Sequence, residues 1–447
     1  MTKSIEVPWG NGKVTMGIPT GWRILGELTP KTLPVGVAPM EACAQALAAP
    51  VAAERLASRN LSGKKVLVVV DDHSRPTPVA EFLPAVMDEL KTAGASKETI
   101  EILIATGVHR ESRTDEVKKK LGHQIMADYA WSCHDGYDSD GLSYLGTTSR
   151  GTKVFLNKKL LDADLIVLVG AVEPHLLLGF GGGLKMIIPG CAGAETIGKN
   201  HMQGVDPDHF NYVGTHGQNS PMRHDLEEGA LLLQRDIFIV NAAMNESAKP
   251  AKFFCGDPVE AHRMGERFVE ETVRLKVPEQ ADVVITNSFP MDADLRQSVK
   301  CIGNTLYASK PGGIMMGLAR SVNGLGEMPL AKKTLPYPVM RAILKLIGKK
   351  RVLPLVEKAK KNEPVEETFI GHFALQMLRR NHISIFSDSP LLPSDIGKKM
   401  GIARSFTEIG SMMDWAASKA PSSASVWVFP CGGSTYASFE TRARNCG

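Results

Sequence analysis

Apolar runs and stretches of helical period alternate along the chain. Residues 66–70 are continuously apolar and mostly β-branched, the pattern of a strand buried on both faces. Similar runs at 100–105, 163–170 and 237–241 predict three more strands. Periodic segments at 39–59, 78–94 and 258–274 predict helices. Ahead of these, Gly10-Asn11-Gly12 between short β-like runs predicts a hairpin with a tight turn. The pattern breaks at Lys276-Val277-Pro278-Glu279-Gln280 and then restarts. Strands at 281–286, 313–318, 383–386 and 425–429 alternate with helices at 295–308, 368–380 and 407–419. Such alternation predicts an α/β protein with mainly parallel sheets and right-handed crossovers. The expected architecture is two Rossmann-like, doubly wound α/β domains, 1–272 and 273–447. The cleft between them is the default ligand site. A length of 447 residues suits two such units.

Composition narrows the function classes. Hydrophobic residues make up 43% and charged residues 22%, as in a globular protein with a sizeable core. A net charge of +4 argues against a dedicated nucleic-acid binder and leaves an anionic small substrate open. The first residues carry acid and lack the apolar core of a signal peptide. No stretch approaches the ~20 apolar residues of a membrane span, so a cytoplasmic location is expected. The seven cysteines, Cys43, Cys133, Cys191, Cys255, Cys301, Cys431 and Cys446, are odd in number and show no CxxC spacing. Free thiols in a reducing compartment follow. The basic stretch with Lys345, Lys349, Lys350, Arg351, Lys358, Lys360 and Lys361 reads as a solvated helix face.

Candidate chemistry sits where the predicted strands end. Asp71-Asp72-His73-Ser74-Arg75-Pro76-Thr77-Pro78 follows the first strand and joins carboxylates, hydroxyls and an arginine suited to a carboxylate or phosphate. Thr106-Gly107-Val108-His109-Arg110 follows the second. A lone loop histidine is more often bland than catalytic, but Glu173-Pro174-His175 brings another imidazole to the same edge. Two imidazoles suit one proton donor and one acceptor on opposite faces of a substrate. The run Gly179-Phe180-Gly181-Gly182-Gly183-Leu184-Lys185-Met186 fails the P-loop pattern GxxxxGK[ST], because Leu184 intervenes and Met186 replaces the hydroxyl residue. Its glycines let backbone approach a flat ligand, and Lys185 is suited to a covalent or phosphate contact. His201, His209, His216 and His224 are imidazoles of the kind that bind nickel, zinc, copper or iron, without any zinc spacing. In the second half, helical spacing places Arg296 and Lys300 on one face, able to hold a carboxylate across the cleft.

In order, DDxxRPTP at 71–78, GxHR at 107–110, EPH at 173–175, GGGxK at 181–185, NH at 200–201 and QxxK at 297–300 resemble the nickel-pincer lactate racemase family. Each motif is weak alone; their order and spacing make the resemblance strong. It covers nearly the whole chain, from the opening hairpin to the closing Pro430-Cys431-Gly432-Gly433-Ser434. It implies a racemase or epimerase acting on a 2-hydroxy acid. It also implies a nickel-pincer nucleotide, a pyridinium bisthiocarboxylic acid mononucleotide holding nickel, joined covalently to Lys185. His201 would be the protein ligand to nickel, and His109 and His175 the acid/base pair. Arg75, Gln297 and Lys300 would hold the substrate, while Asp72, Gly182 and Gly183 would support the cofactor. Hydride loss from Cα and return to the opposite face would avoid a carbanion that is hard to form at neutral pH. Cofactor-synthesis enzymes would be needed for loading. One departure stands out: Arg296 occupies a position where the family tends to have tyrosine. A second cation there would favour a substrate larger or more acidic than lactate, such as a malate-like dicarboxylate or a sugar acid. Two other readings stay open. One is a cofactor-less binding protein of the same fold. The other is a nicotinamide dehydrogenase, for which no GxGxxG with a following acid is present.

Overall fold

The structure is a computed structural model that describes residues 3–33, 36–328, 330, 334–360 and 365–439; Lys361 and Cys446 lie outside the described residues. Strand Val66–Asp71 is buried at every position. Val66, Val68 and Val70 enter one core cluster, and Leu67 and Val69 enter another on the opposite face. That is why the run is apolar without alternation. Each such fully buried side chain contributes roughly 1.5–3 kcal/mol.

The strand sits inside a six-stranded sheet. Across the sheet the order is Pro250–Gly256, Asp236–Met244, Leu165–Val172, Val66–Asp71, Ile100–Ala105, Ala130–Cys133. All neighbours are parallel except the edge strand Pro250–Gly256. The winding therefore reverses between Val66–Asp71 and Leu165–Val172, which opens a crevice at their carboxyl ends.

A second six-stranded sheet is wholly parallel. Its order is Arg404–Phe406, His382–Phe386, Ser309–Leu318, Ala281–Asn287, Ser425–Phe429, Arg23–Glu27. Winding reverses between Ala281–Asn287 and Ser425–Phe429. The opening hairpin, Ser4–Trp9 with Gly12–Gly17, packs Ile5, Val7 and Met16 against Val283 and Ile285 of this sheet. A division of the chain at residue 272 puts these first strands in the other half. Pairing with a strand near the far end of the chain leaves no local signal in sequence.

Other bounds differ for local reasons. The helix expected over 39–59 is only Pro39–Ala48, because Ala49 precedes Pro50 and leaves the helical region. The helix expected over 295–308 is split into Leu295–Ser298, Lys300–Asn304 and the turn Leu306–Ala308. The basic stretch is divided between helices Tyr337–Ile347 and Val352–Ala359, parted at Gly348 with its φ of +75°. Among the described residues no helix is long and apolar enough to cross a membrane, and the described cysteines are all free.

Candidate active site

Both winding reversals open onto one cavity of about 320 Å³. Asp72, Arg75, His109, His175, Gly182, Lys185 and His201 line it from the first half. Arg296, Gln297 and Lys300 line it from the second, beside Gly433 and Ser434. Residues scattered over more than half the chain thus converge. Of the residues expected at the site, only Gly183 does not line the cavity.

The loop after Val66–Asp71 is pinned by a residue that motif reasoning missed. Lys120, buried, places Nζ 2.7 Å from Asp71 Oδ1 and donates to the carbonyls of Arg75 (3.0 Å) and Thr77 (3.1 Å). Burial raises the Asp71 pKa above its usual range, against the pull of Lys120. Lys120→Met would strand Asp71 as a buried charge. It is expected to cost about 3–5 kcal/mol of stability, read as a fall in the denaturant midpoint at constant slope. Adding Asp71→Asn should recover part of the loss.

The hydrogen bonds assign a tautomer to each cavity histidine. His109 Nδ1 lies 2.6 Å from Asp72 Oδ2, and Asp72 also accepts from the Ser74 hydroxyl at 2.7 Å. Burial alone would raise the Asp72 pKa, but His109, Arg75 and Ser74 outweigh it and hold the carboxyl well below the usual range. An ionised Asp72 keeps the hydrogen on His109 Nδ1, so the neutral ring carries its lone pair on Nε2. His175 is wired the other way. Its Nδ1 accepts from the backbone N–H groups of Leu177 (3.3 Å) and Leu178 (3.2 Å), which leaves the hydrogen on Nε2. Burial, then Lys185, Lys300 and Arg75, push His175 well below its usual pKa. One ring therefore offers an acceptor and the other a donor.

His201 donates Nδ1–H to the carbonyl of Ile197 at 2.7 Å and stacks on Phe369 with ring centres 4.6 Å apart. Burial pushes its pKa down to about 4, despite the Ile197 carbonyl. Its Nε2 lone pair is free for a metal, with the ring orientation fixed by the carbonyl on its other nitrogen, as is usual for a ligating imidazole. Burial, followed by Arg75, also lowers the Lys185 pKa far below the ordinary lysine value. An uncharged amine is a nucleophile. Arg75 donates to Glu173 Oε1 at 2.9 Å, so its guanidinium is oriented before any ligand arrives.

The glycine-rich loop is held from behind by two buried residues that no motif flagged. Arg223 donates to the carbonyls of Phe180 and, at 3.1 Å, Gly182; His262 Nε2 is 2.7 Å from the carbonyl of Gly181. A Cβ on Gly182 would lie 2.6 Å from the Ala171 carbonyl oxygen, and one on Gly183 would lie 2.7 Å from the His262 ring. At both positions it is close protein packing that demands glycine.

On the other wall, Asp294 caps the short helix Leu295–Ser298 through the Gln297 N–H at 2.9 Å, and Lys300 donates to Gln297 Oε1. Burial and then Arg75 push the Lys300 pKa down to about 7, against the attraction of Glu173. Arg296 Nη1 lies 3.2 Å from Glu327 Oε2, whose other oxygen accepts from the Arg110 backbone N–H at 2.8 Å. Glu327 thus ties the His109 loop to the opposite wall. It too was unforeseen from sequence. His216 and His224 are engaged elsewhere, with Glu270 and the Gln218 carbonyl. Among the described residues no three His, Cys, Asp or Glu side chains form a metal cluster.

Residues 9–211 match the family model described as the lactate racemase N-terminal domain. The chain is 30% identical over 420 residues to the lactate racemase of Thermoanaerobacterium thermosaccharolyticum, covering 92% of this chain and 96% of that one. It is 28% identical over 278 residues to the lactate racemase of Lactiplantibacillus plantarum, covering 62% and 65% respectively. The solved lactate racemase apoprotein from T. thermosaccharolyticum superposes with a TM-score of 0.81 at 27% identity, covering 98% of this chain and 100% of that one. A protein from Thermotoga maritima shares the fold at a TM-score of 0.64 and 16% identity, covering 92% of this chain and 100% of that one.

Proposed function

The chain belongs to the lactate racemase family of isomerases, and from that premise we propose that it inverts C2 of a 2-hydroxy acid with a nickel-pincer nucleotide on Lys185. The donor set fits such a group. Lys185 offers an amine whose charged form burial disfavours, suited to a covalent tether, and His201 a metal-ready Nε2 fixed by the Ile197 carbonyl. When bound, the group supplies a reversible hydride acceptor, the chemistry that side chains lack.

The chain's own residues do the rest. Lys300, Gln297 and the preset Arg75 bind the carboxylate and the hydroxyl. His109, with its lone pair on Nε2, takes the hydroxyl proton from one hand of the substrate. His175, neutral with its hydrogen on Nε2, donates a hydrogen bond to the substrate oxygen, and the proton held by His109 returns to that oxygen once C2 has inverted. Asp72 steadies the imidazolium formed at His109. The division of labour is 1–272 for cofactor and acid/base groups, with Arg75 reaching the substrate from the same part, and 273–447 for the remaining substrate groups. The observation that carries this reading is the opposite tautomer set on two imidazoles lining one cavity. The test is protein produced beside the cofactor-synthesis enzymes, followed by intact mass, nickel analysis and chiral separation of single-enantiomer 2-hydroxy acids. Protein without added mass on Lys185, or with no inversion of any acid, would overturn the reading.

Arg296 bears on substrate choice. Glu327 neutralises much of its charge but leaves guanidinium N–H groups unspent. Donors without net charge suit hydroxyls better than a second carboxylate, so a sugar acid is favoured over a malate-like acid. Arg296→Ala is expected to lower kcat/KM for a sugar acid relative to lactate by roughly tenfold, the scale of one lost hydrogen bond to a charged group. An unchanged ratio would remove Arg296 from specificity.

Lys300 sets a pH dependence. Its charge is present below about pH 7 and lost above. The KM for a 2-hydroxy acid should therefore rise from pH 7 to 9, by up to tenfold per unit. Lys300→Arg should flatten that limb of the profile, although with weaker binding.

A further inference from the structure

A second concavity of about 290 Å³ shares no lining residue with the first. It lies where helix Tyr337–Ile347, the first residues of strands His382–Phe386 and Arg404–Phe406, and helix Ile409–Ala417 come together. Tyr337, Arg341 and Lys345 recur at four-residue steps, so one face of their helix supplies all three. Trp415 and the following Lys419 repeat the spacing on the facing side.

Four cations line this space, Arg341, Lys345, Arg404 and Lys419, with no carboxylate among the lining residues. Among the described residues none of the four has an acidic partner within ion-pair distance. Surface cations elsewhere are commonly paired, as Arg59 is with Asp236 and Lys310 with Asp282. Two buried donors are also unspent. Arg341 is 8% and Trp415 9% exposed, and neither Arg341 Nη2 nor Trp415 Nε1 has a hydrogen-bond partner. Unmade buried hydrogen bonds are costly, and native structures keep few of them without a reason.

The neutral groups add donors as well. The Tyr337 hydroxyl accepts from the Ile383 N–H at 2.9 Å and lies 3.3 Å from His382 Nδ1. The Tyr337 hydroxyl is thus placed to donate to His382 Nδ1 or to accept from it. Burial, then Arg341, Lys345 and Lys419, push the His382 pKa down to about 4, with no acid opposing them. Side chains bearing guanidinium, ammonium, indole and imidazole groups thus line one small space.

We propose that this concavity is a second ligand site, taking a small phosphate-bearing dianion. Several donors converging from separate elements suit tetrahedral phosphate oxygens better than a planar carboxylate. A cluster of this size, at one point of a chain whose net charge is only +4, does not form the extended basic stripe of a nucleic-acid binder. The ligand is either inorganic phosphate or a phosphomonoester.

The experiment is calorimetric titration of the full-length, cofactor-loaded protein with inorganic phosphate and, separately, adenosine monophosphate, at fixed ionic strength. Saturable binding of one equivalent is expected. It should survive Lys300→Ala in the first cavity and weaken at least tenfold in the exposed double variant Arg404→Glu/Lys419→Glu. Reversing two remote lysines, Lys3→Glu/Lys97→Glu, should leave it within about twofold. Tighter binding of the nucleotide would assign a phosphomonoester, and equal binding free phosphate. Three results would overturn the site: no saturable binding of either probe, loss of binding on Lys300→Ala alone, or equal weakening by the remote reversal. Arg341→Met is a further check, accepted only if its denaturant midpoint matches the parent protein.

Discussion

Lys185→Ala is expected to reduce inversion of every 2-hydroxy acid to the uncatalysed background while leaving the fold intact. The side chain makes no core contribution that alanine would forfeit, since it lines the cavity and its amine sits in a space shared with Arg75, Glu173 and Lys300. Removing the amine also removes a buried polar group whose charged form the site disfavours, so the thermal midpoint should hold or rise slightly. Intact mass should show no added group, whatever loading enzymes are present. An active Lys185→Ala protein would mean that the tether lies elsewhere. Lys185→Arg is the instructive companion. It places there a guanidinium that stays charged and non-nucleophilic at neutral pH, and it should be equally inactive. Loss of nucleophilicity, and not loss of charge, would then be the cause.

His175→Gln and His109→Gln should each slow racemisation by about 10²- to 10⁴-fold, the range for losing one general acid or base. Their single-turnover behaviour should differ. With His175 gone, His109 still deprotonates the hydroxyl, so acid quenching should still release 2-keto acid. With His109 gone the base is lost, so neither hand should release 2-keto acid above background. Release from the His109→Gln protein would mean that another group is the base. Asp72→Asn is a milder relative of His109→Gln, because it spares the imidazole and removes the partner that fixes its tautomer.

The parts of this site that are legible in sequence share a signature: an apolar run that stops abruptly at a dense polar cluster. Val66–Asp71 ending in Asp72 to Arg75, and Leu165–Val172 ending in Glu173 to His175, both show it, and both flank the winding reversal of the first sheet. What sequence conceals are the single residues that hold those clusters from behind. Lys120 lies in a helix dense with lysines, where nothing distinguishes the one that turns inward. Arg223 and His262 look like ordinary polar helix residues, yet they fasten three consecutive carbonyls of the glycine-rich loop. The role of Arg296 depends on Glu327, which arrives from a turn some thirty residues away and has no periodic pattern around it. The glycines at 182 and 183 carry a requirement that a motif cannot show, because it does not say which side of the backbone the protein itself crowds.

The position of Arg23–Glu27 at the edge of the second sheet has a consequence for synthesis on the ribosome. This strand emerges long before its neighbour Ser425–Phe429. The first sheet, whose strands all lie between residues 66 and 256, can be completed in the interval. The nascent leader must wait unpaired until the closing strand arrives. Gly433 and Ser434, which finish the cavity wall, come immediately after it. A chain released before residue 425 would therefore carry a finished first sheet but an unclosed second sheet and cavity wall.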